Sequence, residues 1–177
     1  MFHNLKKLGH IKYHLDVEER MLLIKSFILS KMDYCNVLLS NASWTCIQPL
    51  ERVLNAGIRF IYDLKKRDHV SSFYKSAHIL PLSYRIMFKS CVMVYKIINN
   101  LSPDYLNDFI TMHFPNSNIG LRSDNDYFKV VQTRYRNTLQ YAMINNWNTL
   151  PYDIRASESV NTFKKQIKTY YFNLAFS

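Results

Sequence analysis

The chain has 177 residues, of which 48% are hydrophobic and 20% charged, so it can bury a core and is not disordered by composition. Lysine and arginine number 23 against 13 aspartates and glutamates, a net charge of +10 that attracts polyanions such as nucleic acid. Collagen-like, linker-like and disulfide-scaffold classes are excluded, and three glycines leave little room for phosphate-cradling loops or glycine-turn hairpins.

Two long helices are predicted in the first part of the chain. Asp16 is expected to cap a helix over residues 17–38, with carboxylates in its first turn and an apolar stripe at helical spacing. That stripe includes Cys35, which is expected to be a buried thiol. A second stripe predicts a helix over residues 45–65. Gly57 lies inside this stripe and indicates a close helix crossing, since glycine costs a helix about 1 kcal/mol relative to alanine.

Shorter elements surround a third long helix. The pattern over residues 69–77 predicts a short helix, and Pro81 is expected to open the long one, which ends at Asn99 and Asn100. Ser102 is expected to cap a further short helix that reaches about residue 110.

The last part of the chain begins with a polar stretch. Residues 115–125 are the most loop-like, and a weak alternation after them favours at most a short β-hairpin near residues 122–134. Helices are predicted over residues 136–148 and 159–174. Trp147 is expected to anchor the core, because a leucine and a proline follow it closely.

These elements predict a mainly α protein. We expect a helical bundle in residues 1–76, followed by a smaller, mostly helical C-terminal region in residues 77–177 that contains the loop and the hairpin. The charge is uneven: residues 1–76 carry 12 cationic and 7 acidic side chains, residues 77–128 carry 4 of each, and residues 129–177 carry 7 and 2. Two basic ends therefore flank a neutral middle.

The cysteines and the apolar runs bear on where the protein resides. The chain has three cysteines, and none is in a Cys-x-x-Cys spacing, which favours free thiols in a reducing compartment. The longest uncharged stretch, residues 34–50, contains amides, hydroxyls and a proline that a bilayer would reject. We therefore expect an intracellular protein that makes no membrane contact.

A search for catalytic and metal-binding patterns yields little. His10 and His14 have helical spacing, but Ile11 stands where a zinc hydrolase needs a glutamate. Asp124 and Asp126 form the nearest carboxylate pair, and this spacing in a polar loop is typical of turn chemistry. The sequence predicts no catalytic residue, no metal and no cofactor. An unrecognised enzyme, whose catalytic side chains come together only on folding, is a further alternative.

The positive signal is a set of basic clusters, several of them beside aromatic residues. Lys and Arg side chains next to tyrosines suit phosphate contacts combined with base stacking. Solvated helix faces and core tyrosines explain any single cluster equally well. The candidate nucleic-acid-binding residues are Lys6, Lys7, Lys12, Lys65, Lys66, Arg67, Arg134, Arg136, Lys164, Lys165 and Lys168.

Several segments, in order, resemble the part that follows the catalytic palm in LINE-type non-LTR retrotransposon reverse transcriptases, the jockey-like RNA-directed DNA polymerases of mobile elements. One example is Leu50-Glu51-Arg52-Val53-Leu54-Asn55-Ala56, where that family reads Leu-Gln-Arg-Val-Gln-Asn-Ala. The similar blocks are residues 30–39, 50–56, 80–86, 95–106, 121–123, 147–151, 154–155, 163–165 and 168–170. Any one block is weak evidence, whereas the ordered set covers nearly all of the chain.

The resemblance implies the thumb in residues 1–76 and the C-terminal region in residues 77–177. A thumb holds the primer–template duplex through backbone phosphates without reading sequence. The implied partners are RNA or an RNA–DNA hybrid and the polymerase palm, and the implied location is the nucleus. The family's Tyr-x-Asp-Asp motif is absent, so no catalytic role is carried over to this chain.

An alternative hypothesis is a protein-interaction module or an inert transposon remnant without nucleic-acid binding. Apolar stripes that once packed against a palm would then drive self-association.

Overall fold

The computed structural model describes residues 2–109 and 138–177. This part of the chain is mainly helical and contains no strand, so the predicted fold class is confirmed. The α-helices are α1 Phe2–Gly9, α2 Val17–Ile24, α3 Ser30–Asp33, α4 Trp44–Tyr62, α5 Ser71–Ser76, α6 Leu82–Ile98, α7 Leu139–Asn148, α8 Tyr152–Arg155 and α9 Val160–Phe176. Single 3-10 segments occupy Lys12–His14, Asn36–Asn41 and Asp104–Phe109, and a π turn occupies Lys25–Leu29.

The N-terminal caps follow the sequence signals closely. Asp16 accepts a hydrogen bond from the backbone of Glu19, whose side chain in turn accepts one from the Asp16 backbone, a complete capping box for α2. Ser159 caps α9, which begins at Val160, one residue after the predicted start. Thr138, which the sequence analysis did not single out, caps α7 by accepting from Tyr141. Local polar side chains therefore fix where these helices begin.

The first long helix is shorter than predicted. It runs through the π turn into α3 and stops at Asp33, because Tyr34 adopts an extended backbone and Cys35 a left-handed one with φ of 52°. Cys35 is therefore exposed at the break, and the expectation of a buried thiol at this position was wrong. The short helix predicted after Ser102 is present as the 3-10 segment Asp104–Phe109, but the predicted cap was wrong, since the Ser102 hydroxyl makes no hydrogen bond within the described residues.

Helix α4 packs antiparallel against α2, and Gly57 lies where the two helices approach closely. A Cβ on Gly57 would lie 3.3 Å from Cγ2 of Ile24, so the predicted close crossing is confirmed. Further along the pair, Arg20 reaches the carbonyl of Ile61 near the end of α4. The start of α2 thus lies beside the end of α4, and Tyr34, which follows α3, lies toward the other end.

The buried side chains form two clusters that share α6. Leu82 and Ile86 belong to a first cluster built mainly from the chain before residue 87. Cys91 and Tyr95 belong to a second cluster with α7 and α9. Helix α6 is therefore the element common to both. The proposed boundary between residues 76 and 77 stays a prediction.

Trp147 is buried in the second cluster, as expected. Its ring centroid lies 5.6 Å from that of Phe163, which stacks on Tyr95 at 4.4 Å. The Tyr95 hydroxyl donates to the carbonyl of Ser157, 2.6 Å away, which ties α6 to the segment before α9. The loop at 115–125 and the hairpin at 122–134 lie outside the described residues.

Candidate nucleic-acid interface

The loop after α4 presents the most concentrated positive charge that the described residues show. Helix α4 ends because Asp63 adopts a left-handed backbone with φ of 55°. The next residue, Leu64, donates its N–H back to the Arg59 carbonyl at 3.0 Å, which closes the helix end. The side chains of Lys65, Lys66 and Arg67 follow, and all three are exposed.

Asp68 closes this loop from the other side. Its carboxylate accepts the backbone N–H of Lys65 at 2.7 Å, and its own N–H donates to the Lys65 carbonyl at 3.1 Å. Arg59 donates to the Asp68 carbonyl, also at 3.1 Å. The Asp68 carboxylate is thus bound to the backbone, and within the described residues neither it nor Asp63 forms an ion pair with Lys65, Lys66 or Arg67. The result is a short, internally bonded turn with three exposed cations.

The N-terminal segment is fastened to the same end of α4. Lys12 forms an ion pair with Asp63, although the two residues are 51 apart in sequence. Arg20 donates to the Lys12 carbonyl at 3.1 Å and to the Ile61 carbonyl at 3.4 Å, so one guanidinium bridges both segments. The turn Lys12–His14 therefore lies beside the base of the basic loop.

The ion pair between Lys12 and Asp63 changes the pKa of the aspartate. The hydrogen bond and the charge of Lys12 hold the pKa of Asp63 below its ordinary value, and the charge of Arg20 adds to the effect. The charge of Lys12 is thereby compensated. Lys12, a predicted contact residue, therefore positions the neighbouring segments through this ion pair.

Two further predicted lysines are on α1. Lys6 and Lys7 are both exposed in its last turn, while the neighbouring Leu5 is buried in the first cluster. Cations in this position complement the helix dipole, so they also stabilise α1 locally.

The third basic group belongs to α9, which packs on α6 and α8. Lys165 and Lys168 are exposed and Lys164 is half-buried. The neighbouring Tyr171 is buried and bonded to Cys91, with the thiol sulfur and the phenol oxygen 3.4 Å apart, so its ring is not available for stacking. Lys165 also lines an open groove of about 800 Å³ along α9, together with Asn161, Thr162, Gln166, Thr169, Tyr170 and Asn173.

Two candidate arginines and one further tyrosine remain. Arg134 and Arg136 lie outside the described residues. Tyr13, which the sequence analysis did not select, is 82% exposed between Lys12 and His14. The only sequence signal for it is an aromatic residue flanked by basic ones, and helical periodicity alone would not separate it from the core tyrosines.

Within ranges 2–109 and 138–177, no group of three or more His, Cys, Asp or Glu side chains is placed to hold a metal ion. In those ranges, none of the helices has the length and apolar character needed to cross a bilayer.

Comparisons with protein-family models, with curated proteins and with solved structures found no match to this chain. The resemblance to reverse transcriptases therefore rests on the ordered sequence blocks alone.

Proposed function

We propose that the chain corresponds to the thumb and C-terminal region of a LINE-type non-LTR retrotransposon reverse transcriptase and holds nucleic acid by its backbone. The ordered blocks and the net charge of +10 support this assignment. By itself the chain has no polymerase activity, because it lacks the Tyr-x-Asp-Asp motif. In the parent enzyme its partners are the palm and an RNA or RNA–DNA substrate, in the nucleus.

The observation that carries the proposal is the loop with Lys65, Lys66 and Arg67. Three exposed cations lie on a closed turn in which the Asp68 carboxylate is bound to the backbone. Such a turn contacts phosphates at little cost in loop entropy, and it reads no base sequence. Binding is accordingly expected to be weak, salt-sensitive and independent of sequence.

The test is a salt titration of binding to a labelled RNA–DNA hybrid. A variant with Lys65→Gln, Lys66→Gln and Arg67→Gln is compared with the wild type. The slope of log K against log salt is negative, and each phosphate contact contributes about 0.9 to its magnitude on B-DNA. Losing two or three contacts should therefore make the slope less steep by roughly 2.

The matched control removes the same charge elsewhere. Lys25, Lys31 and Lys96 are exposed on other elements, and their replacement by glutamine also removes three positive charges. If this control lowers affinity and slope as much as the loop variant does, binding depends on net charge and the loop is not the site. Absence of binding at low salt would refute the nucleic-acid function altogether.

A second candidate function is protein interaction or self-association. Tyr34, Leu38 and Trp44 are exposed, largely apolar side chains within the uncharged stretch of residues 34–50. Light scattering tests this: Leu38→Ser with Trp44→Ser should abolish any concentration-dependent mass increase. A wild-type protein that stays monomeric would exclude self-association.

A further inference from the structure

Tyr13 combines high exposure with a fixed backbone. Its side chain is 82% exposed and makes no hydrogen bond or ring contact within the described residues. Its backbone belongs to a 3-10 turn in which His14 donates to the Ile11 carbonyl at 3.0 Å and Leu15 donates to the Lys12 carbonyl at 3.3 Å. An exposed ring on a fixed turn is a candidate platform for another flat group.

The contacts that hold this turn against α4 determine which other side chains lie near it. Lys12, the residue before Tyr13, pairs with Asp63, and Lys65 is two residues beyond Asp63. Arg20 bonds the carbonyl of Lys12 and that of Ile61 at the same time. The ring and the three cations of the loop are therefore brought to one end of α4 by contacts that span about 50 residues of sequence.

We propose that this end of α4 binds single-stranded nucleic acid, with a base stacked on Tyr13 and the adjoining phosphates on Lys65, Lys66 and Arg67. This inference rests on the proposed function and names the form of nucleic acid that the site selects. An aromatic face accepts any base, and cations beside it track the backbone, which is the arrangement of sequence-tolerant single-strand binding. In a duplex the bases are already stacked on each other, so only the loop contributes.

The chain supplies its own control for an exposed tyrosine. Tyr34 is also 82% exposed, but it follows α3 and lies toward the opposite end of α4, a helix of about 28 Å at 1.5 Å per residue. Single exposed aromatic residues are common on protein surfaces. Tyr13 differs from Tyr34 in its position beside the basic loop, and this is the property to be tested.

The experiment measures binding of a labelled oligonucleotide of about 12 nucleotides and of a long duplex, at fixed low salt. Tyr13→Ala is expected to weaken single-strand binding by about 10-fold, in line with the loss of one stacked base, and to leave duplex binding unchanged. Tyr13→Phe keeps the ring and should bind normally. Tyr34→Ala should match the wild type for both probes.

An abasic oligonucleotide of the same length tests the stacking directly. It retains the phosphates and has no base, so the wild type should bind it about as weakly as Tyr13→Ala binds the normal strand. Tyr13→Ala should lose nothing further on this probe, since both changes remove the same interaction. The salt dependence should be equal for the wild type and Tyr13→Ala, because no phosphate contact is removed.

The outcomes separate this inference from the function on which it rests. If Tyr13→Ala binds the single strand as tightly as the wild type, while the loop variant weakens both probes, the stacking site is refuted and backbone binding stands. If Tyr34→Ala loses as much as Tyr13→Ala, the assignment to this end of α4 is wrong. If the loop variant behaves like its charge-matched control, the loop is not the binding site, and the proposed function itself fails if the wild type binds neither probe at low salt.

Discussion

Lys12 and Asp63 join the N-terminal turn to the end of α4 through an ion pair between residues 51 apart in sequence. The left-handed backbone at Asp63 ends the helix, and the carboxylate of the same residue accepts a hydrogen bond from the Lys12 ammonium. One residue thus both determines where the basic loop begins and holds the segment that carries Tyr13.

Breaking this pair should change the titration of Asp63. Because Lys12 depresses the pKa of the carboxyl, Lys12→Gln is expected to raise it toward the ordinary value of about 3.9. A group with a depressed folded-state pKa stabilises the fold above its unfolded pKa, and this is lost as pH falls through the folded pKa. Carboxyl NMR against pH checks the shift, with Lys7→Gln as the control. An unchanged pKa in Lys12→Gln would contradict the pair.

Asp33 links α3 to α6, and its removal should be costly. Its carboxylate accepts from Arg85, with Oδ2 2.7 Å from Nη2, and Lys89 lies 3.6 Å away. Asp33→Ala leaves two cations with no acidic partner at a half-buried site, so we expect a loss of about 2 kcal/mol in unfolding free energy. Urea denaturation measures it, with the exposed Asp153→Ala as a control expected to change stability by under about 0.5 kcal/mol. Equal effects of the two substitutions would refute this role.

The three cysteines should react unequally. Burial raises the pKa of the Cys91 thiol to about 12, despite a hydrogen bond with Tyr171, so it carries almost no thiolate at pH 8. Cys35 and Cys46 are exposed. Iodoacetamide labelling of the native protein followed by mass spectrometry should modify these two and spare Cys91. In urea all three should react, and native labelling of Cys91 would place it outside the core.

The crossing at Gly57 should reject a large side chain. Gly57→Leu would push against Ile24 and is expected to lower stability by about 1–3 kcal/mol. In Gly57→Ala the gain in helix propensity, about 1 kcal/mol, opposes the 3.3 Å contact, so the net change should be small. Thermal denaturation checks both variants. Gly9→Leu is the control, because no atom lies within 4 Å of a Cβ at that position, and a similar loss there would exclude crowding as the cause.

The sequence predicted the helices well where the signals were local. The capping box of Asp16 and Glu19 and the stripe through Ile58 depend on residues a few positions apart, and both are present in the structure. The break at Cys35 was missed because a left-handed backbone at a non-glycine residue has no strong signature in the sequence.

The candidate site was only partly predictable for a related reason. A cluster such as Lys65, Lys66 and Arg67 is visible in the sequence, and so is its exposure at the end of a helix. The sequence does not show that Tyr171 is buried while Tyr13 is exposed, since both are tyrosines near lysines.

By itself, then, the sequence determined the helical class, most helix starts, the crossing at Gly57 and the basic character of the two ends. The tertiary structure decided that Lys12 pairs with Asp63, that Arg20 bridges two segments, and that the turn carrying Tyr13 lies at the end of α4. Periodicity and capping act over one or two helical turns, and the sequence displays them directly. Contacts between residues about 50 positions apart exist only once the helices have packed.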